Sequence, residues 1–129
     1  MDRGREHSEL AEIHWEGESR EVLAGFPEDV RADLGFALFE LQQGKRPQIQ
    51  TRRMESLGSG VYELKEGDEN TWYRVIYLSK VDDVIYVLHC FEKQSRKTDS
   101  RDLGLAAQRL SRVRERIREQ KKHAKRREK

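Results

Sequence analysis

Apolar positions recur along the chain with two different periods. Ile13 and Trp15 alternate with Glu12 and His14, the two-residue repeat of a half-buried strand, so a short strand is expected within Leu10 to Trp15. Ser19 to Phe26, with Val22, Leu23 and Phe26, reads as a short helix. The next helix is better signalled. Pro27 stands where a first helical residue belongs, and Glu28 and Asp29 complement the positive end of the helix dipole. Val30, Leu34, Ala37, Leu38 and Leu41 then follow at helical spacing, Phe36 and Phe39 widen the stripe, and Gly44 and Pro47 stop it.

Beyond Gly58 and Gly60 the period returns to two. Val61 to Lys65 alternates, while Trp72 to Leu78 and Val84 to Phe91 are rich in β-branched and aromatic residues, with Lys80-Val81-Asp82-Asp83 as a tight hairpin turn between them. If Asp82 and Asp83 are the two turn residues, Val81 faces Val84, Arg74 faces Phe91, Ile76 faces His89 and Trp72 faces Lys93. Opposed side chains share a sheet face. Trp72, Arg74, His89 and Lys93 are therefore expected on one face, with Tyr73, Val75, Tyr77, Tyr86, Leu88 and Cys90 on the other. A last helix begins near Asp99 or Ser100, either of which can cap it, and carries the seam Leu103, Ala106, Ala107, Leu110, Val113, Ile117. Past Ile117 only Ala124 is apolar, so the helix is expected to fray there or to persist only against a partner. The order strand, two helices, three strands, helix predicts a single compact α+β domain with a largely antiparallel sheet. Its predicted layout is a loose leader over residues 1–8, a domain over 9–117 and a basic tail over 118–129.

Composition narrows the class. One domain suits 129 residues, and 39% charged against 35% hydrophobic leaves a small core under a charged surface. The longest apolar run, Val84 to Leu88, is far below the roughly 20 residues of a membrane helix. The charged N-terminus lacks the apolar stretch of a signal peptide, and Cys90 is the one cysteine, so a reducing cytoplasm is the expected compartment. One cysteine and four histidines at scattered positions give no zinc spacing, and neither metal nor cofactor is expected. The net charge of +2 conceals a segregation: residues 109–129 hold 11 basic and 3 acidic side chains, and residues 1–108 hold 15 basic and 21 acidic.

The predicted face of Trp72, Arg74, His89 and Lys93 is the strongest concentration of chemistry. Arg offers a planar fork to phosphate oxygens, Lys a point charge, indole a surface for an unstacked base, and His a proton carrier near neutral pH. Its ordinary reading is a solvated face on which Arg74 and Lys93 pair with Glu63 and Glu92. Other chemistry is weakly signalled. Gly58-Ser59-Gly60 lacks the Lys-Ser/Thr of a phosphate loop, and Cys90 lies within an apolar strand, where a structural thiol is expected.

These residues resemble a known family. The matching pieces are Phe26-Pro27-Glu28-Asp29-Val30, Leu41-Gln42-Gln43-Gly44, Gly60 to Lys65, Tyr73 to Tyr77, and Leu88-His89-Cys90-Phe91-Glu92-Lys93. Ser95, Lys97-Thr98, Asp102, Ala106 and Arg109 then follow in order. The set is similar to the RelE/ParE superfamily of toxin–antitoxin toxins, in its phage-derived HigB-like branch. The resemblance implies a RelE-like fold and a metal-independent endoribonuclease cutting ribosome-bound mRNA, held in check by a helix-turn-helix antitoxin. Carried over by position, it implies Arg74, Lys93 and His89 as catalytic residues, and Lys65, Lys97, Trp72 and Arg96 as RNA-binding residues. Arg74 would stabilise phosphate charge, Lys93 would be a second cation, His89 an optional proton carrier, and Glu63 would orient a cation. Gln94 stands where the family often has a further Lys. Two alternatives accompany this reading: a non-catalytic module that binds protein or nucleic acid, and a ParE-like toxin acting on DNA gyrase. The basic tail has three readings of its own: a solubilising extension, an rRNA contact, or a surface captured by an acidic antitoxin.

Overall fold

A computed structural model describes residues 10–68, 70–94 and 99–128. The predicted leader and the candidates Arg96 and Lys97 lie outside the described residues. The elements run β1 (Glu12–Trp15), α1 (Ser19–Ala24), α2 (Glu28–Gln42), β2 (Gln50–Arg53), β3 (Val61–Gly67), β4 (Trp72–Val81), β5 (Val84–Lys93) and α3 (Ser100–Glu128). The five strands form one sheet in the order β1-β5-β4-β3-β2, antiparallel except that β1 runs parallel to β5. The helices between β1 and the rest carry the chain across the sheet, which is how the first strand reaches the last.

Helices cover both faces. On one, Leu23 and Phe26 with Val30, Leu34, Ala37 and Leu38 of α2 pack on Leu64, Tyr73, Val75, Tyr77, Ile85, Val87 and Cys90. On the other, Ala106, Leu110 and Val113 of α3 pack on Val61, Ile76, Leu78, Tyr86, Leu88 and Phe91. Removing these apolar faces from water is the main force holding the layers together.

The termini of α2 follow from its sequence. Pro27 is the residue before the first turn, with φ −54° and ψ 151°, and the helix begins at Glu28. At the far end Gly44 takes φ +78°, the Gly44 N–H donates to the Leu41 carbonyl and the Lys45 N–H to the Glu40 carbonyl. This is the left-handed glycine stop that satisfies a helix's last carbonyls. Phe36 and Phe39, expected to widen the buried stripe, are instead 55% and 42% exposed. They stand roughly 100° or more round the helix from Leu34 and Leu38, on the side turned from the sheet.

The β4–β5 hairpin has the expected turn. Asp82 and Asp83 both take positive φ, 51° and 65°, the two-residue geometry matching strand twist. The predicted pairs Trp72 with Lys93, Arg74 with Phe91, Ile76 with His89, and Val81 with Val84 are all present. Between them the register slips, with Tyr77 opposite Val87 and Leu78 opposite Tyr86. Leu88 is the additional residue of a bulge that reverses the faces of β5 from there to the turn, and a second slip, on β4 between Leu78 and Val81, restores the paired register. Tyr86 and Leu88 therefore point to α3, not to the face of Tyr73 and Val75 where the even register put them. The Leu88 carbonyl accepts a hydrogen bond from Arg109 Nη1 at 2.9 Å, so α3 is anchored at the bulge.

Two further features were not predicted. Gln50–Arg53 forms an edge strand paired with Lys65 to Tyr62. The last helix also continues past Ile117 to Glu128, where fraying, or helix only against a partner, was expected. Among the described residues, no helix is long and apolar enough to cross a membrane.

Candidate active site

The face of the sheet that α3 covers is apolar beneath the middle of that helix and polar where the helix begins. Register places Arg52 of β2, Glu63 and Lys65 of β3, Trp72 and Arg74 of β4, and His89, Phe91 and Lys93 of β5 on this face. All five described candidates, Lys65, Trp72, Arg74, His89 and Lys93, thus fall in one region.

Arg74 lies deepest. It is fully buried, and its Nη1 donates to Glu63 Oε2 at 3.4 Å. Glu63, also fully buried, accepts from Arg52 Nη2 through its other oxygen at 3.3 Å. One carboxylate therefore bridges two guanidinium groups, leaving the trio with a net single positive charge. Burial of such charges is tolerated only with close partners. Arg74 thus pairs with Glu63 as in the ordinary reading, but buried beneath the face and not on a solvated one.

His89 and Lys93 connect the end of β5 to the first turn of α3. His89 Nε2 lies 2.8 Å from Asp102 Oδ1, and its ring stacks on Phe91 with centroids 4.8 Å apart. Lys93 Nζ donates to Asp99 Oδ2. The other oxygen of Asp99 accepts the Asp102 N–H at 3.1 Å, which makes Asp99 the helix cap. Its hydrogen bond from the Lys93 ammonium, first, and from the Asp102 N–H hold the Asp99 carboxyl well below the usual carboxylate range. Lys93 thus pairs with Asp99, and not with the adjacent Glu92 of the ordinary reading.

Lys65 and Trp72 form the outer rim. Lys65 Nζ lies 5.1 Å from the centroid of the Trp72 ring, a cation–π contact. The indole also covers Gly67, its cross-strand partner, so closely that a Cβ there would come within 2.6 Å of Trp72 Cε3. The indole is held in place by its neighbours.

Chemically, the region combines a histidine oriented by a carboxylate, a lysine oriented by a second carboxylate, and a buried arginine pair. A histidine fixed by Asp102 can exchange a proton at its second nitrogen, and fixed cations favour developing phosphate charge. Asp99, Asp102, Phe91 and Arg52 have parts in this arrangement that sequence reasoning did not assign. Among the described residues no group of three or more His, Cys, Asp or Glu side chains could hold a metal. Cys90 is buried on the opposite face, where burial pushes its thiol up to about 12, a structural sulfur and not a nucleophile.

Comparison with known proteins agrees with this architecture. The family model described as phage-derived protein Gp49-like matches residues 21–111. A solved structure of a double mutant of the E. coli toxin RelE in the free state is similar, with a TM-score of 0.56 at 16% sequence identity. The match covers 78% of this chain and 98% of that one. No curated protein matches the sequence. The chain belongs to the phage-derived Gp49-like family and is built on the fold of RelE.

Proposed function

We propose that the protein is a toxin of a toxin–antitoxin pair and that it cleaves ribosome-bound mRNA. The 2′-hydroxyl of the substrate is the nucleophile. The observation that carries this reading is the side-by-side placement of His89–Asp102 and Lys93–Asp99 at the start of α3, on the fold of RelE. Cleavage needs removal of the 2′ proton, neutralisation of added phosphate charge and protonation of the 5′ oxygen. His89, oriented by Asp102, serves as the proton carrier. Lys93 meets the phosphate, with Asp99 holding its ammonium in place until RNA competes for it. Arg74 contributes positive potential from beneath, and Lys65 and Trp72, joined by Lys97 and Arg96, bind the flanking chain. A helix-turn-helix antitoxin is the proposed inhibitor, and the cytoplasm the proposed compartment.

Expression without an antitoxin tests the reading. Growth should arrest, and Lys93→Ala and His89→Ala, each produced at wild-type levels, should relieve the arrest. Full toxicity of both variants would remove the assigned site.

A second reading has its own support. Lys93 is paired with Asp99, Arg74 with Glu63, and Gln94 replaces a cation the family often carries. These features suit a non-catalytic member that binds nucleic acid or protein through the same fold. Binding to ribosomes with intact mRNA and no growth defect would favour it.

A further inference from the structure

The family match stops at residue 111, yet α3 runs on as helix to Glu128. Val113 is the last buried residue of its seam, Ile117 is partly buried, and residues 118–127 are all exposed. The continuation is a helical arm standing clear of the sheet.

Its cations are arranged. At about 100° per residue, Arg118, Lys121, Lys122 and Lys125 fall within one sector of about 100°, at spacings i, i+3, i+4 and i+7. Arg114 lies on the same side one turn earlier and donates from Nη2 to the Ser59 carbonyl at 2.7 Å, which fixes the base of the arm to the Gly58–Gly60 loop. Arg114 and Arg118 also line a groove of about 450 Å³ beside Ser59 and Gly60, and no carboxylate is among its lining residues. Glu115 and Glu119 lie along one edge of this sector, about 20° and 60° beyond Lys122.

We infer that this arm is a docking element for the phosphate backbone of RNA. Charge complementarity selects the occupant. A helix that docks on a protein presents an apolar stripe, and beyond Ile117 this one has only Ala124. Phosphate binding needs cations alone. The choice of RNA rests on the proposed action on ribosome-bound mRNA. The arm nevertheless lies about 24 Å along α3 from Asp102, and so grips RNA separately from the candidate active site.

The test is equilibrium binding of the full chain to an RNA hairpin across a potassium chloride series. Arg118→Gln/Lys121→Gln/Lys125→Gln should weaken binding at least tenfold and flatten the plot of log K against log salt by about 2–3. Arg20→Gln/Arg31→Gln/Arg112→Gln removes the same charge elsewhere and should change affinity severalfold less. Equal losses in the two triple variants, or none in the first, would overturn the inference. So would tighter binding of poly-glutamate or of duplex DNA than of the hairpin. The outcome is separable from the cleavage reading: hairpin binding is measured without ribosomes, so arm variants that lose binding while mRNA cleavage persists fail this inference alone, and intact arm binding without cleavage fails that reading alone.

Discussion

Arg74 Nη1 and Glu63 Oε2 face each other at 3.4 Å with both side chains wholly removed from water. The pair lies on adjacent central strands, and Arg52 closes the other side of the carboxylate. It is the floor on which the more exposed candidate residues stand.

Removing one partner leaves a buried charge opposed only in part. Glu63→Leu is expected to destabilise the fold by about 3–5 kcal/mol. Glu63→Leu combined with Arg74→Met should recover most of that loss, since apolar replacement of both members avoids the unpaired charge. Urea unfolding monitored by circular dichroism measures this, and additive losses in the double variant would contradict it.

Gly67 is expected to be intolerant of any side chain because Trp72 occupies the space of its Cβ. Gly67→Ala should cost about 1–3 kcal/mol and disturb the Trp72 indole and its contact with Lys65. In a Trp72→Leu background the same change should cost clearly less. An unchanged melting temperature for Gly67→Ala would show that the indole moves freely.

Glu66 is poised to make stability depend on pH. Burial, then a hydrogen bond to the Asp33 carboxyl on α2, raises its pKa from 4.5 to about 7. Between these values the folded chain holds a proton that the unfolded chain has released. The contribution to stability is therefore full below pH 4.5 and lost as pH rises through about 7. Glu66→Gln should flatten the fall in melting temperature between about pH 5 and 8, and should stabilise the protein at the upper end. Parallel curves for variant and wild type would contradict the assignment.

Cys90 is expected to be inert in the folded protein, because its thiol is raised to about 12 by burial. An aromatic disulfide reagent near neutral pH should label it only after denaturation. Rapid labelling of the native chain would mean that the strand opens.

Legibility in the sequence followed the periodicity of burial. The ends of the β4–β5 register and the grouping of Trp72, Arg74, His89 and Lys93 agree with the two-residue turn because the two slips, one on each strand, cancel and restore its parity. The bulge at Leu88 was not readable, since an apolar residue suits either face, and Tyr86 was misplaced with it. Gln50–Arg53 carries no apolar alternation; it is a strand because its backbone pairs with β3. The continuation of α3 lacks a seam and so gave no sign of itself. The burial of Arg74 was hidden for a different reason. An arginine reads as a surface cation until Glu63, 11 residues earlier on the neighbouring strand, is seen to accompany it inside. Asp102 stood among the matched residues, but only folding brings it to His89.

In the proposed function the residues where β5 meets α3 cut RNA. The most direct measurement is mapping of mRNA ends after adding purified protein to a translation extract. New breaks bearing 2′,3′-cyclic phosphate are expected that require ribosomes and are lost with Lys93→Ala, and greatly reduced with Asp102→Asn, both still folded. Intact mRNA in an extract whose translation the protein nevertheless stops, or breaks undiminished in both variants, would contradict it.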